Sequence, residues 1–337
     1  MKYRKFGQTD IQLSAIGLGC MGMSFAYGTP DNQESLMTLQ ESLKLGINFW
    51  DTADIYGQGA NEVLLSQMLK QHRDKIFLAT KIGFRPKVSN PGSPISTEMI
   101  VDGSKEYIKN AINASLKRLD IDKIDLLYLH RVDPFVPIEE SILAMSEFVK
   151  AGKVSYLGLS ECSTEDLLRA NAVWPIAAVQ SEYSILSRDV EKGILPLTKE
   201  LGMAFIPFAP LSRGLLTNKL DVTHLDKTDF RSRLPRYNGE YYENNEKIAD
   251  EFAQLASQLK VTPAQLAIAW VLSRGENIIP IPGTKKRQYL RENCGAVDII
   301  LSSENIDSIE EIIKRHPNIG PRYSPRESNF INKIKTD

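Results

Sequence analysis

The feature that most constrains the fold of this 337-residue chain is a rhythm of short apolar runs separated by amphipathic stretches. The runs fall at 15–18, 47–50, 76–79, 124–129, 154–159, 176–179, 204–208 and 278–281. Each is apolar on both faces, the pattern of a parallel strand covered from two sides. Helices fit between them. Thr29-Pro30 and Thr262-Pro263 each read as an N-cap followed by a proline at the first helical position. Ser163, with Glu165 and Asp166 behind it, opens another helix, and 104–119 puts Ile108, Ile112, Leu116 and Leu119 on one face. Eight strand–helix pairs predict an α/β protein of the (β/α)8 or TIM-barrel type, with an open doubly wound sheet as the alternative. A short N-terminal hairpin is expected where 3–6 and 11–13 flank Gly7-Gln8-Thr9-Asp10, and extra helices at the C-terminal end. No linker rich in Gly, Ser or Pro divides the chain. Residues 1–337 therefore read as one barrel domain, with a tail from about 317 that either covers the barrel mouth or is disordered. Irregular stretches at 83–103 and 212–244 are long enough to suggest a task over that mouth.

Composition narrows the partners. With 41 basic and 42 acidic residues the formal net charge is −1, which argues against nucleic acid or an anionic membrane as the main partner. Cys20, Cys162 and Cys294 are too far apart for a disulfide framework or a metal-ligand motif, so a reducing compartment is expected. Residues 1–7 do not read as a signal peptide, and no run reaches the ~18 apolar residues of a membrane span. The expected location is cytoplasmic. His72, His224 and His316 have no ligating neighbours, so no metal is expected, and oligomeric state leaves no signal.

The polar residues that end the early runs carry the chemistry. Asp51 ends the second, Lys81 the third and His130 the fourth, and Tyr56 follows Asp51 in a short loop. Any one of them has a bland reading, as helix cap, surface charge or packed ring. Adjacent parallel strands lie about 4.8 Å apart, so side chains leaving three neighbouring ends can meet. Asp51 would then hold Lys81, and the lysine cation would lower the tyrosine pKa from about 10. Tyr56 becomes a proton donor to a carbonyl oxygen, with His130 orienting that oxygen.

These residues resemble a known family, the aldo-keto reductases. Gly46-Ile47-Asn48-Phe49-Trp50-Asp51-Thr52-Ala53-Asp54-Ile55-Tyr56-Gly57 is similar to its first signature, and Ala79-Thr80-Lys81 and Tyr128-Leu129-His130-Arg131 match its remaining tetrad. The resemblance runs from about residue 3 to about 316. It implies a (β/α)8 barrel, NADP(H) as cofactor, and reversible reduction of a small aldehyde or ketone to an alcohol, an alcohol dehydrogenase-type reaction. It makes Asp51, Tyr56, Lys81 and His130 the catalytic set, with Tyr56 as general acid.

The cofactor is assigned to the later strand ends. Ser160 and Gln180 are a hydroxyl and an amide suited to a nicotinamide carboxamide, and the resemblance implies that Tyr183 stacks on the ring. Met21 and Gly22 approach from the first strand, beside Asp51. Pro210, Leu211, Ser212 and Gly214 follow the seventh. After the eighth, Gly283, Thr284, Lys285, Lys286 and Arg291 supply a close backbone and cations for phosphates, the 2′-phosphate included. Glu292 and Asn293 match family positions at the adenine. Glu161 departs from the family's asparagine, so no contact is assigned to it. Gly17-Leu18-Gly19-Cys20-Met21-Gly22 fits the dinucleotide fingerprint of an open sheet but does not open a helix, and is declined. The alternative to a carbonyl reductase is an NADP(H)-binding barrel that acts mainly as a regulatory or subunit-type partner.

Overall fold

The computed structural model describes residues 1–86, 99–226 and 229–324. The chain opens with an antiparallel hairpin, β1 (Tyr3–Lys5) and β2 (Gln12–Ser14), in register Tyr3↔Ser14. Then come β3 (Leu18–Gly19), β4 (Phe49–Asp51) and β5 (Phe77–Ile82), a small antiparallel pair β6 (Phe84–Pro86) and β7 (Met99–Val101), and β8 (Ile124–Leu129), β9 (Val154–Ser160), β10 (Ile176–Glu182) and β11 (Ala204–Phe208). Seven of these form one parallel sheet in the order β11-β10-β9-β8-β5-β4-β3.

The eighth run closes the barrel without forming a regular strand. Ile279 and Ile281 donate backbone N–H to Phe205 and Pro207 on β11, while the carbonyls of Pro280 and Pro282 accept from Gly17 and Gly19 on the β3 side. Proline has no N–H, so the ladder toward β3 is built from one set of partners only. Bridges Phe205↔Ile278 and Gly19↔Gly283 mark the two seams. A Cβ on Gly19 would stand 2.8 Å from the Ile281 carbonyl, so only glycine lets the backbones approach there.

Ten helices wrap the described sheet: α1 (Asn32–Lys44), α2 (Ala60–His72), α3 (Lys105–Leu119), α4 (Ile138–Lys150), α5 (Thr164–Val173), α6 (Ile194–Glu200), α7 (Gly239–Gln258), α8 (Pro263–Leu272), α9 (Arg287–Cys294) and α10 (Ser303–Arg315). Ser163 and Thr262 cap α5 and α8 through reciprocal capping boxes with Asp166 and Gln265. The expected start of α1 at Thr29-Pro30 is corrected: Asp31 is the cap, its carboxylate accepting from the Glu34 N–H at 3.0 Å, and the helix begins at Asn32. The 212–244 stretch holds four short 3₁₀ turns and the start of α7. Residues 87–98 of the first long loop and 325–337 of the tail lie outside the described residues.

Strand alternation sorts the core into two layers. Phe49, Phe77, Ala79, Leu126, Tyr128, Ala178, Ile206 and Ile279 face the barrel axis, whereas Trp50, Leu78, Leu127, Val179 and Phe205 face the helices. Phe6 and Leu13 of the hairpin are fully buried in the inner layer, with the Phe6 ring 5.0 Å from Phe77 and 5.5 Å from Tyr156. The hairpin thus plugs the end of the barrel opposite the site. Among the described residues no helix is long and apolar enough to cross a membrane, and no cluster of three metal-ligating side chains occurs.

Candidate active site

The same alternation brings the polar strand ends together. Counting by twos from the inner core residues reaches Asp51 on β4, Lys81 on β5, His130 after β8, Ser160 on β9, Gln180 on β10 and Phe208 on β11. The sheet register sets Lys81 opposite Tyr128, two residues before His130, and Gln180 opposite Ser160. Tyr56 arrives from a 3₁₀ turn after β4 in which Gly57 and Gln58 adopt positive φ of 58° and 54°.

Lys81 is the hub. Its Nζ donates to Asp51 Oδ1 at 2.5 Å, to the Thr52 carbonyl at 2.8 Å and to Tyr56 Oη at 3.3 Å. Gln180 Nε2 donates to the other Asp51 oxygen at 2.8 Å. The His130 ring meets the Tyr56 ring edge-on at 6.0 Å between centroids. All four tetrad side chains are buried. Burial works against the Lys81 cation, yet the attraction of Asp51 and Tyr56 holds its pKa above the ordinary lysine value.

The tyrosine behaves otherwise than expected from sequence. Burial raises the Tyr56 pKa, Asp51 adds to the rise, and the Lys81 cation offsets only part of it. Desolvation of a phenolate outweighs one cation whose charge is already shared with a carboxylate. Tyr56 is therefore held as the protonated phenol. His130 is pushed well below its ordinary value, first by burial and then by Lys81 and Arg131, so its imidazole is neutral. The site thus presents a phenol and a neutral imidazole beside a fixed ammonium.

A cavity of about 980 Å³ opens over this cluster and runs to the 283–293 segment. Asp51, Tyr56, His130, Ser160 and Gln180 line one end, with Phe208 beside them. Met21 and Gly22, in a 3₁₀ turn after β3, form one flank. Pro210, Leu211 and Gly214 form another. Gly283, Thr284, Lys285, Lys286, Glu292 and Asn293 line the far end. The residues suit a dinucleotide: hydroxyl and amide groups at the tetrad end, and lysines at the other, where phosphates need cations.

Three expected cofactor residues do not reach this cavity. Tyr183 has the opposite parity to Gln180, so it points into the helix layer. It is fully buried there, 5.4 Å from the Trp270 ring, and donates to Glu191 at 2.7 Å. Ser212 turns inward to Ser184, 2.9 Å away. Arg291 reaches back to Glu41 on α1 at 2.8 Å. Lys285 lines the cavity, but its ammonium sits on the Tyr27 and Thr29 carbonyls at 2.7 and 2.8 Å. Sequence reasoning also missed Phe208, although its parity along the 204–208 run marks it as inward-facing.

The tail and Glu161 find each other. Arg322 donates to Glu161 at 3.0 Å, and Glu182 takes Arg213 at 2.9 Å with Arg236 and Arg322 nearby. The pairs are buried, and they hold Tyr323 and Ser324 in the cavity wall. Glu161 therefore serves the tail, whose Tyr323 and Ser324 line the cavity.

The sequence profile described as the Aldo/keto reductase family matches residues 15–314. The probable aldo-keto reductase 1 of Glycine max is 41% identical over 321 residues, covering 95% of this chain and 91% of that protein. An aldo-keto reductase of Schizosaccharomyces pombe, named with NADP(+), is 39% identical over 334 residues, covering 97% and 96%. Among solved structures, a glycerol dehydrogenase from Gluconobacter oxydans superposes with a TM-score of 0.84 at 28% identity, covering 96% of this chain and 98% of its own.

Proposed function

This chain belongs to the aldo/keto reductase family, and from that premise we propose that it is an NADP(H)-dependent oxidoreductase that reduces an aldehyde or ketone to an alcohol. The observation that carries the reading is the position of Lys81 Nζ. It contacts Asp51 and Tyr56 together, at 2.5 and 3.3 Å, behind the cavity wall that those two residues line.

When bound, a reduced nicotinamide would be the source of the hydride for the carbonyl carbon. Ser160 and Gln180 would hold its carboxamide, Phe208 gives a flat face for the ring, and Lys286 stands at the phosphate end. The cofactor preference follows the NADP(+) in the name of the Schizosaccharomyces pombe relative and the unmatched Lys286 at the far end of the cavity. Tyr56, kept protonated by burial, donates its proton to the carbonyl oxygen as negative charge grows there. The Lys81 cation then stabilises the phenolate left behind, and Asp51 keeps that cation in place. The neutral His130 ring gives a second hydrogen bond to the same oxygen without adding charge. Atoms balance: one hydride and one proton enter the carbonyl, and solvent reprotonates Tyr56.

The test is NADPH oxidation, followed by absorbance, with a panel of aliphatic and aromatic aldehydes, for the wild type and Tyr56→Phe. Turnover by the wild type and its loss in the variant, with cofactor fluorescence still titrating, supports the reading. Tight NADPH binding with no turnover across the panel overturns it in favour of a cofactor-binding regulatory or subunit-type barrel.

A further inference from the structure

The seven arginines and lysines that line the cavity differ in how they are matched. Arg213 is matched by Glu182, Arg231 by Asp229 and Lys219 by Glu292. Lys81 has Asp51, and Lys285 rests on two carbonyls. Two loop arginines are likewise engaged: Arg85 with Asp102 and Arg236 with the Ser187 hydroxyl and Gly320 carbonyl. Arg233 is exposed and stacks on Phe230. Unmatched Lys286 lies at the far end, where phosphates would be held.

Arg131 is different. It directly follows His130 and lines the cavity half-buried. Its Nη1 donates to the His130 carbonyl at 2.6 Å and to Ser160 Oγ at 3.2 Å, which fixes the guanidinium between β8 and β9. Among the described residues no carboxylate lies within ion-pair distance of it, and its Nε is buried without a partner. Guanidinium has five N–H donors; Nη1 accounts for both bonds, leaving Nη2 unengaged. A partly desolvated, unmatched charge is unfavourable on its own and favourable toward an incoming anion. Its field reaches both tetrad rings, since it lowers the pKa of His130 and works in the same direction on Tyr56.

We infer that the substrate is a carbonyl compound bearing a carboxylate, and that Arg131 receives the carboxylate while Tyr56 and His130 receive the carbonyl. This rests on the reductase reading above and narrows it to a substrate class. The carbonyl and the carboxylate would sit a few bonds apart, because Arg131 is the immediate neighbour of His130 along the chain. A hydrogen-bonded charge pair of this kind favours the acid over a neutral analogue about ten- to hundred-fold in kcat/KM.

The experiment compares 4-carboxybenzaldehyde with its methyl ester, which is one methyl larger and has the more activated aldehyde, so intrinsic reactivity favours the ester and a preference for the acid must come from the protein. The measured quantity is the ratio of kcat/KM for acid over ester, taken within each variant so that any general loss of activity cancels. The wild type should prefer the acid by at least about tenfold. Arg131→Met should bring the ratio to one or below, and Arg131→Lys should retain part of it. A wild-type ratio near one, or a ratio unchanged in Arg131→Met, overturns the inference while leaving the reductase reading standing. Turnover of neither aldehyde by protein that is active on the wider panel also overturns the inference, whereas silence across that panel removes the reductase reading and this inference falls with it.

Discussion

Replacing Lys81 by Met is the most searching perturbation of the site. The ammonium lies 3.3 Å from Tyr56 Oη. At an effective dielectric constant of about 20, a full phenolate at that distance gains about 5 kcal/mol. If half of the charge has developed in the transition state, the gain is about 2.5 kcal/mol. The expected fall in kcat is therefore roughly 70-fold to 5,000-fold, at about 1.36 kcal/mol per decade. The oxidation direction gives an independent reading, because it needs the phenolate. Removing the cation raises the Tyr56 pKa further, so the rise of alcohol oxidation with pH should move to higher pH. The variant also strands Asp51 as a buried anion and should lose about 3–5 kcal/mol of stability. Asp51→Asn in the same chain should restore much of that stability without restoring turnover. Steady-state kinetics in both directions, cofactor titration by fluorescence and urea denaturation together separate these effects. A fall in kcat of less than about threefold in folded, cofactor-binding protein refutes the reasoning.

Two further outcomes concern the frame around the site. Phe6→Ala removes the plug of the barrel floor and should lower stability by about 3–5 kcal/mol in urea denaturation, with KM unchanged because the site lies at the other end. Glu182 is held at about 2, burial being outweighed by Arg213, Arg322 and Arg236; a folded-state pKa below the unfolded value gives stability that is present above about pH 4.5 and lost as pH falls toward about 2. Glu182→Gln should therefore cost roughly 3 kcal/mol at neutral pH, with the difference from wild type closing through that acid window.

Much of the barrel could be read from one dimension because each strand is short, apolar and ended by a polar residue. Asp51, Lys81 and His130 stood out for that reason: a charge at the end of a buried run must face either solvent or a partner. Alternation could have gone further. Parity continued from β10 and along β11 directs Tyr183 to the helices and Phe208 to the cavity, whereas the family resemblance implies Tyr183 at the nicotinamide. For Arg291 and Lys285 the limit is of another kind. Their charge was legible, but Glu41 and the Tyr27 and Thr29 carbonyls, which engage them, lie some 250 residues away along the chain.

Local sequence determined where strands and helices begin, which residues face the axis and which chemical groups stand at the mouth, since these follow from periodicity and capping between near neighbours. Only the tertiary structure decided which charges are already matched. Glu161 and Glu182 meet Arg322 and Arg213 only after the barrel closes, and Arg131 is left without an acid because none of the described segments delivers one. Electrostatic pairing depends on distance in space and on exclusion of water, and neither is set until the whole chain has packed.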